Sequence, residues 1–295
     1  MKINYFDDCK NELLKLLEER RTSTTKDEFS VHSFFEKYPF AILSCLSIAS
    51  QYSVFGNIVL SQPRLKSFDG DRQPDFLVAT WDSLNIYFNF IEIEDPSKKI
   101  FSSTKLQPSA EFLQAVNQLK QWRSFKTEVV DYCEELLRTL YLDNFNSSPK
   151  KVIHYNYTLV YGFGDEITDL GERYNQLLQD YFSEADLFHC TYSRLLRNAR
   201  EERPMFSVKR DSASNKFKAI GVTPFKKYRA EQWSDFHNVI GKEKIINESL
   251  FFDAVDKISL IEQMEKMDKK SYKEVVEIMM AEPGLDFLDP ESHIV

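Results

Sequence analysis

Asp75, Glu92 and Glu94 are the residues whose types and spacing best suit chemistry. Asp75 opens the run DFLVATW, and Glu92 and Glu94 close the run IYFNFIEIE. Both runs are rich in aromatic and β-branched residues, and the polar break WDSLN separates them, so they read as strand, tight turn and strand. Taking Trp81 opposite Ile86 places Asp75 opposite Glu92, with Cβ atoms about 4.5 to 5.5 Å apart. Glu94 then projects from the same face roughly 6.6 Å further along. Phe90, Phe88, Leu77 and Ala79 continue that face, so the acids close an apolar strip. Like charges in such surroundings are costly unless neutralised. A divalent cation, Mg²⁺ or Mn²⁺, neutralises them economically, because Mg²⁺ takes one or two carboxylates and fills its other positions with water and phosphate oxygens. That composition is the chemistry of phosphodiester cleavage. An acidic strand end facing water is the competing reading.

Other reactive types are less well placed. His154, His189 and His237 have no partner at HxxxH spacing, and alternation in VIHYNYTL makes His154 a strand residue. His189 and Cys190 fall in a short core strand, which argues against a nucleophilic pair. Between residues 194 and 229 stand eleven Lys or Arg and only three Asp or Glu, including Arg203, Lys209 and Arg210. Such a stretch can follow a phosphate backbone or simply be a solvated segment.

The elements around these residues follow from periodicity. Tyr5 to Arg21 carries Phe6, Leu13, Leu14, Leu16 and Leu17 at helical spacing among charges and predicts a separate amphipathic helix. A helix from about Asp27 to Lys37 should stop at Tyr38-Pro39, and Ala41 to Gln51 should be an apolar helix. Pro108-Ser109 opens one long helix reaching about Leu140, with Ser109 as N-cap and Phe112, Ala115, Val116 and Leu119 as its buried stripe. Strands are expected at Val152 to Gly162, Asp186 to Thr191, Met205 to Lys209 and Lys216 to Val222. Helices are expected at Asp169 to Phe182 and Ser193 to Arg200. From about Ala230 the chain reads as helical and acidic. This alternation predicts an α/β fold with a mixed sheet flanked by helices, an N-terminal helix and a helical C-terminal extension. The expected divisions are 1–25, 26–229 and 230–295.

The chain has 295 residues, 42% hydrophobic and 28% charged, enough for a large core. Its net charge of −8 disfavours indiscriminate DNA binding. No apolar run is long enough to span a membrane, and the charged start is unlike a secretory signal. Four dispersed cysteines with no CxxC argue against a disulfide framework or a zinc ribbon and suit a cytoplasmic protein. With 8 glycines and neither a Walker loop nor a dinucleotide fingerprint, no nucleotide cofactor is expected.

The ordered pieces QPDFLVAT, FNFIEIEDPSKKIF and QPSAEFLQAVNQLKQWRSF resemble the core of the Shedu antiphage nucleases, a branch of the PD-(D/E)xK restriction-endonuclease-like superfamily. FFEKYPF, VIHYNYTLVYGFG and LFHCTYSRLLRNAR are similar to further family segments, so the likeness runs from about Glu28 to Arg200. The resemblance implies a metal-dependent DNA endonuclease on a restriction-endonuclease-like fold, acting in antiphage defence as a dimer or tetramer. It implies Asp75 and Glu92 as metal ligands and Gln118 as a polar residue facing the site. Glu94 stands where most of the superfamily has a lysine, and a third carboxylate there would bind a second metal or act as general base. Lys98 and Lys99, about 13 to 17 Å beyond Glu94 if extended, are surface lysines unless the Asp95-Pro96 turn folds the chain back. Glu36, or Glu28, would add a ligand from the preceding helix or stand as a surface glutamate. Trp122 shares a helix face with Gln118 and either walls the pocket or packs. The alternatives to a nuclease are a noncatalytic protein that binds or senses nucleic acid on the same fold, disabled by Glu94, and an oligomeric scaffold.

Overall fold

The computed structural model describes residues 5–23, 28–46, 53–54, 58–65, 72–102, 107–140, 151–168, 172–198, 205–211, 216–222, 239–249, 257–259 and 261–262. Among the described residues its centre is a mixed sheet of nine strands. In chain order these are β1 (Ser53–Val54), β2 (Ile58–Ser61), β3 (Phe76–Trp81), β4 (Asn85–Ile93), β5 (Val152–Val160), β6 (Leu187–Cys190), β7 (Phe206–Arg210), β8 (Phe217–Val222) and β9 (Val239–Ile240). Their spatial order is β6-β5-β4-β3-β2-β7-β8-β9, with β1 also paired to β3. β4, β5 and β6 run parallel, and β3 joins β4 antiparallel through the short turn. The hairpin register is the expected one, with Trp81 opposite Ile86 and Phe76 opposite Ile91.

Alternation along the strands feeds two cores. Leu77, Ala79, Phe88 and Phe90 face helices α3 (Ala110–Ser124) and α4 (Lys126–Thr139), meeting Phe112, Leu119, Trp122 and Leu136. Phe76, Val78, Ile91 and Ile93 face the other way, toward α1 (Tyr5–Arg21) and α2 (Glu28–Lys37), and pack with Leu13, Leu17, Phe34 and Phe35. Three short helices follow β5: α5 (Gly164–Thr168), α6 (Glu172–Tyr181) and, after β6, α7 (Tyr192–Asn198). Gly221 lets the end of α2 lie directly on β8, since a Cβ there would fall 2.0 Å from the Glu36 carbonyl oxygen.

Several expectations are corrected. The long helix after Ser109 is two helices, broken at Phe125, whose ψ of 54° lies outside the helical region. Ser109 does cap the first of them, accepting from the Phe112 N–H at 3.0 Å. The apolar segment after Tyr38 is a 3₁₀ helix, Pro39–Cys45, and the remainder of the expected helix lies outside the described residues. Strand β2 escaped prediction, because its four residues are all buried and carry no alternation. Beyond residue 230, β9 adds to the sheet beside β8, and α8 (Lys242–Glu248) follows it. Among the described residues no helix is long and apolar enough to cross a membrane.

Candidate functional site

The acids stand at the open end of the β3–β4 hairpin, away from its turn. Asp75 directly precedes β3, and its Oδ2 accepts the Ile93 N–H at 2.7 Å, which ties the start of one strand to the end of the next. Glu92 is half-buried, and its Oε1 accepts from Gln118 Nε2 of α3 at 2.7 Å. The glutamine therefore faces the acid from the helix above the sheet. Glu94 extends the parallel ladder past the end of β4, its N–H donating to Val160 O at 3.1 Å, and the Tyr192 hydroxyl donates to its carbonyl.

Behind Glu94 the chain turns sharply. Asp95 is fully buried and accepts from Arg20 of α1 at 2.7 Å and from the Ser97 N–H at 2.8 Å. Its carbonyl accepts the Lys98 N–H at 3.0 Å, closing the turn. Lys98 is thereby folded back onto the Glu94 carboxylate, with only 14% of its side chain exposed. This corrects the reading of Lys98 as a surface lysine: the anchored Asp95 carboxylate fixes a turn that the extended-chain distance ignores. Lys99 remains half-exposed, 4.0 Å from Glu166. The acids are thus divided, Glu92 with Gln118 and Glu94 with Lys98, and among the described residues no three His, Cys, Asp or Glu are gathered to hold a metal ion.

A groove of about 710 Å³ opens beside this end, lined by Gln118, its α3 neighbours and Arg72 and Gln73. Trp122 also contributes to its wall while only 2% exposed, so it packs and lines at once.

Tyr161 and His189 support the strand ends. Burial first, and the nearby Glu94 charge, push the Tyr161 phenol upward. Burial pushes His189 down to about 4, while its Nε2 lies 2.9 Å from the Tyr161 carbonyl oxygen. His189 is therefore a neutral packing donor. His154 bonds Asn85 at 2.9 Å and stacks on Tyr87 at the opposite end of the hairpin.

The remaining predicted residues are elsewhere. Glu36 Oε1 accepts from Ser61 Oγ at 2.5 Å and lies 3.6 Å from His32, on the α2 side of the sheet. The Glu28 side chain, His237 and Arg203 lie outside the described residues. Lys209 bonds the Gln62 side chain, whereas Arg210 pairs with Glu135 of α4 at 2.7 Å. Neighbours in a strand point to opposite faces, so the basic run does not present these two as one patch.

A family model described as Shedu protein SduA, C-terminal, matches residues 25–196. The chain belongs to the Shedu family. Membership implies a protein of antiphage defence. No curated protein matches the chain. The matched stretch holds every acid of the site together with Gln118 and Lys98, while Arg20, which anchors the Asp95 turn, comes from α1 outside it. Lys98 is the residue that sequence reasoning undervalued; the signal available was an aspartate at the head of DPSK, a turn former three residues before the lysine.

Proposed function

We propose that this Shedu protein is a metal-dependent DNA endonuclease whose site is the open end of the β3–β4 hairpin. The observation that carries the reading is what meets the open end of the hairpin: Asp75 bonded to the Ile93 N–H, Glu92 bonded to Gln118 of the groove, and Lys98 folded back onto Glu94. The donor chemistry fits Mg²⁺ or Mn²⁺, since carboxylate oxygens are hard ligands and two suffice when water and phosphate complete the shell. Asp75 and Glu92 would hold the ion, with Glu94, the third acid of the predicted set, beside them and partnered by lysine. When bound, the ion supplies polarisation of the scissile phosphate and a lowered pKa for water.

The protein's own groups do the rest. Lys98 supplies the cation that the Glu94 position lacks, placed to stabilise the charge that grows on the phosphate as the P–O bond breaks. The Glu94 carboxylate holds that ammonium in place. Gln118 fixes the Glu92 carboxylate by donating to one oxygen and so sets the orientation of the other. Arg20 and Asp95 keep the turn that delivers Lys98. Assembly as a dimer or tetramer goes with this reading and is checked by light scattering of the purified protein.

The test is incubation of linear and circular DNA with the protein in Mg²⁺, in Mn²⁺ and with chelator, alongside Asp75→Ala and Glu92→Ala. Cleavage that needs metal and disappears in both variants supports the proposal. Retention of DNA without cutting, under every metal condition, replaces it with a sensing role.

A further inference from the structure

The outward face of α3 is unusual in composition. Gln114, Asn117, Gln118 and Gln121 recur at helical spacing along one stripe, opposite the buried Phe112, Ala115, Val116, Leu119 and Trp122. An exposed helix face is ordinarily dressed with opposite charges four residues apart, as Lys15 with Glu19 in α1 and Lys244 with Glu248 in α8. Here four carboxamides stand instead. They line the groove of about 710 Å³ together with Arg72 and Gln73. Among the described residues no Asp or Glu lines it, and Arg72 is the one cation there. Arg72 Nε is buried without a hydrogen-bond partner among the described residues, and its guanidinium lies 5.5 Å from the centre of the Phe125 ring.

Carboxamides carry no net charge, so they add little to the attraction of a polyanion. They carry a donor and an acceptor on one planar group, which matches the edge of a base; adenine, with its N6 donor and N7 acceptor, is the partner that Asn and Gln bind in two places at once. From Gln114 to Gln121 the stripe spans about 10.5 Å at the helical rise, close to three base steps of about 3.4 Å. Gln118 sits at both sites, lining the groove and donating to Glu92.

We infer that the α3 groove reads the base edges of the DNA strand engaged at the acid pair, with a preference for adenine. Arg72 takes a phosphate oxygen of that strand, and Gln114, Asn117 and Gln121 take the bases. This rests on the reading of the site as DNA-acting.

Fluorescence anisotropy of labelled dA and dC oligonucleotides of equal length, in Ca²⁺, tests it against the exposed double variant Gln114→Ala/Asn117→Ala. The wild-type protein is expected to bind dA about tenfold more tightly than dC, and the variant to lose most of that ratio while its dC affinity stays within about twofold. A ratio equal in the two proteins, with both strands bound, overturns the base-reading groove and leaves the nuclease proposal standing. Failure of the wild-type protein to bind either strand overturns the DNA-acting reading and this inference with it.

Discussion

At the turn of the β3–β4 hairpin, Asp82 accepts the Leu84 N–H at 2.8 Å, the Asn85 N–H at 2.7 Å and the Asn85 side chain at 3.1 Å. At the open end, Asp75 takes the backbone N–H of Ile93, and Glu92 takes a side-chain amide from another element. Both ends place carboxylates at strand termini, but the first is knitted into its own turn and the second faces a groove across which helix and loop meet. Burial raises the Asp82 carboxyl, yet the hydrogen bonds from Asn85 and Leu84 outweigh it and hold its pKa below the ordinary carboxylate value. An acid whose donors all lie within a few residues is a turn device. Glu92 is instead held by a distant helix, with a lysine brought back onto its neighbour Glu94, an arrangement that no local turn requires.

The sharpest break between the ends is in activity. Asp75→Ala and Glu92→Ala should each lower DNA cleavage by about a hundredfold or more, whereas Asp82→Ala should leave it within about threefold, as gel-based cleavage rates will show. Lys98→Ala should cost about ten- to a hundredfold, with Lys98→Arg recovering part of the loss; equal rates for Lys98→Ala and wild type would return the lysine to the surface role its sequence position suggested.

Stability sharpens the same contrast at smaller scale. His189, beneath the open end, has a folded pKa of about 4 against an ordinary 6.5. Its contribution is present above the unfolded value and is lost as pH falls from about 6.5 toward 4. Chemical denaturation should show about 1 to 2 kcal/mol less stability at pH 5 than at pH 7 from this group, a difference that His189→Phe removes. Asp82→Asn should cost only about 1 kcal/mol at pH 7, given its partial exposure. Because its pKa is depressed, that contribution is present above about pH 4 and disappears on further acidification, where the two proteins should converge.

How much of this was legible in the sequence differs by range. The hairpin, its register, the Ser109 cap and the ends of α1 and α2 follow from local pattern, because turn chemistry and alternation act over a few residues. The break at Phe125 left no such mark, since neither glycine nor proline stands there. Lys98 was hidden for another reason: its position depends on Arg20, seventy-five residues before Asp95, completing a buried ion pair. The charge of residues 194 to 229 is a case in which sequence leaves two readings open, since contiguity along the chain does not place basic residues on one face; within β7, Lys209 bonds Gln62 while Arg210 pairs with Glu135. The amide stripe of α3 has no reading from spacing alone; the fold sets it in one groove with Arg72 and Gln73.

The proposed site requires Asp75 and Glu92 to act together on one divalent ion. Isothermal titration of Mn²⁺ into the purified protein, compared with Glu92→Gln and Asp75→Asn, tests it most directly. A saturable heat is expected in the wild-type protein, and both substitutions should abolish it. The same heat in all three proteins, or none in the wild type, would contradict it.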